Sequence, residues 1–123
     1  MSEIYETDAL EEELAEDDKP STGDFTVGGK SYVVQFTTGR IKLYENSNRP
    51  LMAAFAMNGG TFTIEELETI AAYGLREEGG NFVNPKKGLK MAEKLIETNG
   101  YFAVYEVVVN ALGRDCDFLF RGM

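Results

Sequence analysis

Regular alternation of apolar and polar residues begins at Asp24. Phe25 and Val27 face one way, Gly28-Gly29 supplies a tight turn, and Tyr32, Val34 and Phe36 resume the two-residue period. This pattern predicts a β-hairpin. Thr38 to Ser47 reads two ways, because Ile41 and Leu43 suit a strand while Leu43, Tyr44 and the charged flanks suit a short helix. Beyond it the apolar spacing becomes helical. Asn48 is placed to cap a helix with Pro50 in its first turn and Leu51 to Met57 as its body, ending at Gly59-Gly60. Thr63-Ile64-Glu65-Glu66 is a capping box, and Ile64, Leu67, Ile70, Ala71, Gly74 and Leu75 form the stripe of a second helix, stopped by Gly79-Gly80. Asn84-Pro85 opens a third helix that buries Leu89, Ala92, Leu95 and Ile96 and ends at Gly100. Tyr101 to Leu112 is apolar on most sides, which predicts a fourth, central helix closed by Gly113, although Val107, Val108 and Val109 would also suit a strand. The fold class is therefore α+β, an N-terminal β-hairpin followed by about four helices in a small helical domain spanning residues 24–123.

Charge divides the 123 residues differently. The formal net charge is −9, yet residues 1–19 hold nine acids and the single base Lys19, net −8, while the remainder carries 12 acids and 11 bases, net −1. Residues 1–23 thus read as an acidic, disordered arm and linker, too poor in apolar side chains to offset its ordering entropy. Within it, Leu10 and Leu14 lie one helical turn apart and could dock on a partner, which makes them candidate regulatory positions. Neither the arm nor the near-neutral body offers the positive field that nucleic acid requires. The acidic N-terminus and the lack of any long apolar run predict a protein that is not exported and does not enter a membrane.

With no histidine and one cysteine, the chain has no ligand set for imidazole or thiolate metal clusters and no histidine base. The glycine pairs are not followed by a phosphate-loop signature and read as turns and caps. Glu65-Glu66 belongs to a helix start, where negative charge suits the macrodipole, and neither it nor Glu77-Glu78 has the spacing of a calcium loop. Cys116 sits between Asp115 and Asp117, which disfavours a thiolate. No pair of groups is spaced to activate a nucleophile or shuttle a proton, so no catalytic residue, cofactor or metal is expected. What stands out is apolar. Leu51, Met52, Phe55 and Met57 belong to a helix with no polar face, either enclosed in the core or facing another protein, and Phe118 and Phe120 pose the same alternative near the C-terminus. Methionines suit a surface that accepts more than one apolar partner.

Pro50-Leu51-Met52-Ala53-Ala54-Phe55, the segment from Phe62-Thr63 to Gly74-Leu75, the Gly100-Tyr101-x-x-Val104-Tyr105-Glu106 segment and the closing Asp115 to Phe120 follow one another in a distinctive order. Together with the Phe25 to Phe36 hairpin and its Gly29-Lys30 turn, this order resembles the tail assembly chaperones of long-tailed phages and prophages of Gram-positive bacteria. The resemblance covers about residues 24–120. It implies a cytoplasmic protein, absent from the mature virion, that coats and solubilises the tape measure protein, self-associates along it and helps recruit tail tube subunits. It places the client or self-association surface on Leu51, Met52, Phe55 and Met57, and makes Gly100 to Glu106 core and scaffold. The acidic arm has no counterpart in the compact pattern. Two other classes share some of these features: a head-tail connector or tail terminator that stays in the particle, and an acidic inhibitor that mimics DNA.

Overall fold

The computed structural model describes residues 23–121. The predicted disordered arm and the Leu10/Leu14 pair lie outside the described residues. The described residues divide into two units, the first ending at Ser31 and the second beginning at Tyr32. In the first, strand β1 (Phe25–Val27) leads to Gly28 and Gly29, with φ of 58° and 80°, the left-handed values that a two-residue turn requires and that only glycine adopts at no steric cost. Strand β2 (Lys30–Val34) follows, and β3 (Leu75–Glu77) completes an antiparallel sheet of order β1-β2-β3. In the second unit the β2/β3 register sets Tyr32 opposite Glu77 and Val34 opposite Leu75. Tyr32, Val34 and Phe36 are buried, as the alternation predicts. The fold is α+β, with five helices after the first two strands.

Helix α1 (Thr38–Glu45) resolves the ambiguous segment. The Thr37 hydroxyl accepts a hydrogen bond from the Arg40 amide (3.1 Å), and Ile41 and Tyr44, three residues apart, share the inward face while Leu43 points outward. Helix α2 (Leu51–Met57) starts as expected, but its cap differs. Asn48 donates instead to the Tyr44 carbonyl (2.8 Å), closing α1, and Pro50 is the residue before the first turn rather than within it. The Leu51 N–H is satisfied by Glu45 Oε2 at 2.8 Å.

Helix α3 (Ile64–Gly74) carries the predicted capping box, with Thr63 Oγ1 accepting from the Glu66 N–H and Glu66 Oε1 from the Thr63 N–H. Two features of its predicted stripe fail. Ile64 is 59% exposed, and Leu75 belongs to β3, because the helix stops at Gly74 and not at Gly79-Gly80. Gly74 is pressed against Phe36: a Cβ there would lie 2.6 Å from the ring, and the Gly74 carbonyl accepts the Gln35 N–H (2.9 Å). The chain turns back at that contact, and Val83 later adds a further bond to Leu75 (2.9 Å).

Helix α4 (Pro85–Asn99) begins at the predicted Asn84 cap and buries Gly88, Met91, Ala92, Leu95 and Ile96, whereas Leu89 is only half-buried. Helix α5 (Tyr101–Asp115) runs through Gly113, three residues beyond its predicted end. It is not the central helix. Val104, Val108, Ala111 and Leu112 form one buried stripe, and Phe102 on the opposite side is 75% exposed. The central position belongs to α3, which packs against α1, α4 and α5 and places Leu67, Ile70 and Ala71 at the middle of the core. Among the described residues, no helix is long and apolar enough to cross a membrane.

Candidate protein-interaction surface

The six residues singled out from the sequence divide by depth. Leu51 is buried to 1% exposure and is core, so it is not available as surface in this conformation. It occupies the inward side of α2 with Ala54, while Met52 and Phe55 are half-buried and Met57 is 73% exposed. The helix thus has a buried side and an outer side that is also apolar. At the C-terminus a short 3-10 turn (Asp117–Leu119) leaves Phe118 45% exposed and returns Phe120 to α2, where its ring meets Phe55 edge-on at 6.0 Å. The fold therefore brings Phe55 and Phe120 together.

Phe55 also belongs to a longer aromatic series. Its ring lies 5.5 Å from Phe62, Phe62 lies 6.3 Å from Tyr105, Tyr105 stacks on Tyr101 at 5.8 Å, and Tyr101 meets Phe102 edge-on at 5.2 Å. One ridge runs from Phe120 to Phe102 across α2, the 59–63 loop and α5. Its rigidity comes from the Gly100 to Glu106 motif. Tyr101 and Tyr105 are one helical turn apart, so both hydroxyls reach the loop. The Tyr101 hydroxyl donates to the Phe62 carbonyl (2.7 Å) and accepts from the Phe62 N–H (3.1 Å), while the Tyr105 hydroxyl donates to the Gly60 carbonyl. The motif acts as a clamp on the loop that follows α2. Tyr101→Phe removes both bonds of one hydroxyl and leaves the amide of a buried residue unpaired. A loss of about 1 to 1.5 kcal/mol is expected, read by thermal denaturation together with faster amide exchange at Phe62.

Glu66 fixes the other side of the same loop. Besides the capping box, its carboxylate accepts from Asn58 Nδ2 (2.9 Å) and from the Arg49 guanidinium, whose Nη1 lies 3.1 Å from Met57 Sδ. Burial acts to raise the Glu66 pKa, but the Thr63 amide and Arg49 together hold it below the usual carboxylate range. Met57 is thereby positioned, although it remains open to solvent.

Comparison with protein-family models, curated proteins and solved structures returns no match.

Cys116 is fully buried, and burial, then Asp115 and Asp117, push its thiol pKa up, away from a nucleophilic thiolate. Among the described residues no three acids, cysteines or histidines gather as a metal site. The sequence reading missed Phe102 and Ile64 as exposed apolar residues. The signal for Phe102 was present, because it stands two residues before Val104 and so about 200° from the buried stripe. Ile64 falls in phase with Leu67 and Ala71, yet as the first residue of α3 it stays exposed.

Proposed function

We propose that this chain is a tail assembly chaperone of a long-tailed phage or prophage, acting in the host cytoplasm and absent from the finished virion. It holds the tape measure protein in solution, associates with further copies of itself, and helps recruit tail tube subunits. The order of sequence signals from Phe25 to Phe120 suggests the family. The observation that carries the reading is the aromatic series, with Phe62 buried at its centre, exposed Phe102 at one end and the tyrosine clamp on its loop, together with the exposed apolar side chains Met57 and Phe118. A holdase needs apolar contact area and tolerance of varied client side chains, and it needs no energy source. Adaptable thioether and phenyl groups on a fixed base meet those requirements, and the −8 charge of residues 1–19 would keep partly covered complexes apart.

Co-expression with the tape measure protein of the same phage tests this. The wild-type chain is expected to keep that client in the soluble fraction, and Met57→Asp with Phe118→Asp to return it to the pellet. Both positions are exposed, so the doubly substituted chain should retain its cooperative thermal transition. Equal client solubility with and without the chain would refute the reading, as would abundant peptides of the chain in purified virions.

A further inference from the structure

Of the arginines among the described residues, Arg49 is paired with Glu66, Arg114 with Asp115 and Arg121 with Asp117. Arg40 and Arg76 have no carboxylate. Both converge instead on one phenyl ring: the guanidinium carbon of Arg40 lies 4.5 Å, and that of Arg76 5.8 Å, from the centre of Phe82. The fold of the second unit brings the three together from separate segments. Val34 and its partner Leu75 are fully buried, so Val33 and Arg76, paired at the adjacent position, lie on the outer face of the sheet. Phe82 sits opposite Arg76 across an antiparallel bridge, and Arg40 reaches the ring from the first turn of α1. All three side chains are half-buried.

Each guanidinium is anchored, and each keeps donors unspent. Arg40 Nε donates to the Tyr73 carbonyl (2.9 Å), while Nη2 is buried with no acceptor. Arg76 donates through Nε to the Gly80 carbonyl (2.7 Å) and through Nη1 to Gln35 Oε1 (2.6 Å), which leaves Nη2. Two like charges beside one ring are an unfavourable arrangement, because a ring face attracts a cation less strongly than a carboxylate does and a desolvated charge needs a counter-charge. Burial lowers the Arg40 pKa, and the opposing influence is Tyr73 rather than any acid.

We infer that Arg40, Phe82 and Arg76 form a receptor for the carboxylates of an acidic peptide segment on a partner protein. Each arginine, fixed through Nε, offers its remaining nitrogens to carboxylate oxygens, and the methylenes of a glutamate lie against Phe82. The described acids leave both arginines unpaired, so the carboxylates come from outside the described fold. Carboxylate suits the place better than phosphate. Glu77 and Glu78 follow Arg76 in the chain, and a second negative charge on the ligand is repelled more than a single one. The receptor shares no residue with the aromatic series and does not rest on the proposed function.

Titration of the full chain at low salt, followed by nuclear magnetic resonance, tests the assignment with a blocked peptide of three consecutive glutamates as the probe. Saturable shifts are expected at the Nε–H signals of Arg40 and Arg76 and at the Phe82 ring, with a dissociation constant on the order of 1 mM or below. Inorganic phosphate should bind more weakly. Arg40→Lys and Arg76→Lys keep the charge but lose the planar fork, and each should weaken peptide binding about tenfold. Arg40→Met should abolish binding and retain a cooperative thermal transition, because the unpartnered nitrogen leaves with the guanidinium and the thioether still packs on Phe82. Absence of saturable shifts, shifts centred on the exposed lysines Lys86, Lys87 and Lys90, phosphate binding as tight as the peptide's, or unchanged affinity in Arg40→Lys would overturn the inference. A full-length chain with Glu11, Glu12, Glu13 and Glu16 changed to Gln should bind the probe as wild type does. Markedly tighter binding by that chain would mean that its own acids compete for the receptor, and would overturn the assignment to a partner.

Discussion

Gly88→Leu is expected to lower the stability of the fold by about 4 kcal/mol, a fall in Tm on the order of 15–25 °C for a domain of this size. Gly88 lies on the buried side of α4 where that helix meets α3. A Cβ there would stand 2.7 Å from the Ala72 carbonyl oxygen and 3.2 Å and 3.3 Å from the Ala72 Cα and carbonyl carbon. These are backbone atoms of the central helix, so no side chain can swing aside, and the two helices must separate. Even Gly88→Ala tests the point, because two effects oppose. Alanine gains about 1 kcal/mol of helix propensity over glycine, whereas overpacking of a tight contact costs about 1–3 kcal/mol. At 2.7 Å from backbone the second prevails, and a net loss is expected. Gly113, in the α5 helix, supplies the control, since a Cβ there meets nothing within 4 Å. Gly113→Ala should therefore stabilise by about 0.5–1 kcal/mol. Chemical denaturation of the three variants decides the matter, and a Gly88→Ala chain more stable than wild type would refute it.

The contrast between those glycines marks where sequence reasoning stops. Periodicity and capping chemistry located the starts of α3 and α5 and both ends of α4 to within a residue or two, because Thr63 with Glu66, Asn84 with Pro85, and Gly100 act locally. Strand β3 was invisible: three residues show no alternation, and Leu75 continues the helical phase of Ile70 and Ala71. Only the Phe36 ring against Gly74, 38 positions away in the chain, ends the helix there. The candidate interaction surface was half legible for a related reason. An apolar helix such as Leu51 to Met57 must have a buried side, but which side depends on partners distant in sequence. Leu51 went inward and Met57 outward, although both are large and apolar. The ridge itself could not be read from spacing, since Phe55, Phe62, Tyr105 and Phe120 meet only through the fold. The tyrosine pair was legible as a motif, but its role as a loop clamp was not.

Asp115→Ala is the second large effect, expected to cost about 2–3 kcal/mol at neutral pH. The last residue of α5 joins the helix to the β2 strand end: Asp115 Oδ2 accepts the Phe36 N–H (3.0 Å), and both carboxylate oxygens hold Arg114 in a forked pair at 2.7 Å. Arg114 in turn donates to the Val34 carbonyl (2.9 Å). Removing the carboxylate leaves a partly buried amide unpaired and frees the guanidinium, and hydrogen bonds to a charged group contribute about 1.5–3 kcal/mol. Asp115→Asn keeps an acceptor for Phe36 but loses the charge, so a smaller loss of about 1–1.5 kcal/mol is expected. The difference between aspartate and asparagine has a defined pH course. The Arg114 guanidinium, opposed by burial and aided by the Phe36 amide, holds the Asp115 pKa below the usual carboxylate range. A carboxyl more acidic in the folded state than in the unfolded one adds stability that is complete above the unfolded value, near about pH 4, and declines as pH falls through the folded value. The stability gap between wild type and Asp115→Asn should therefore stay level from about pH 7 to about pH 5 and close below about pH 4. Urea denaturation across that range measures it, and a gap that stays constant or widens in acid would mean that the charge of Asp115 does not hold α5 to the sheet.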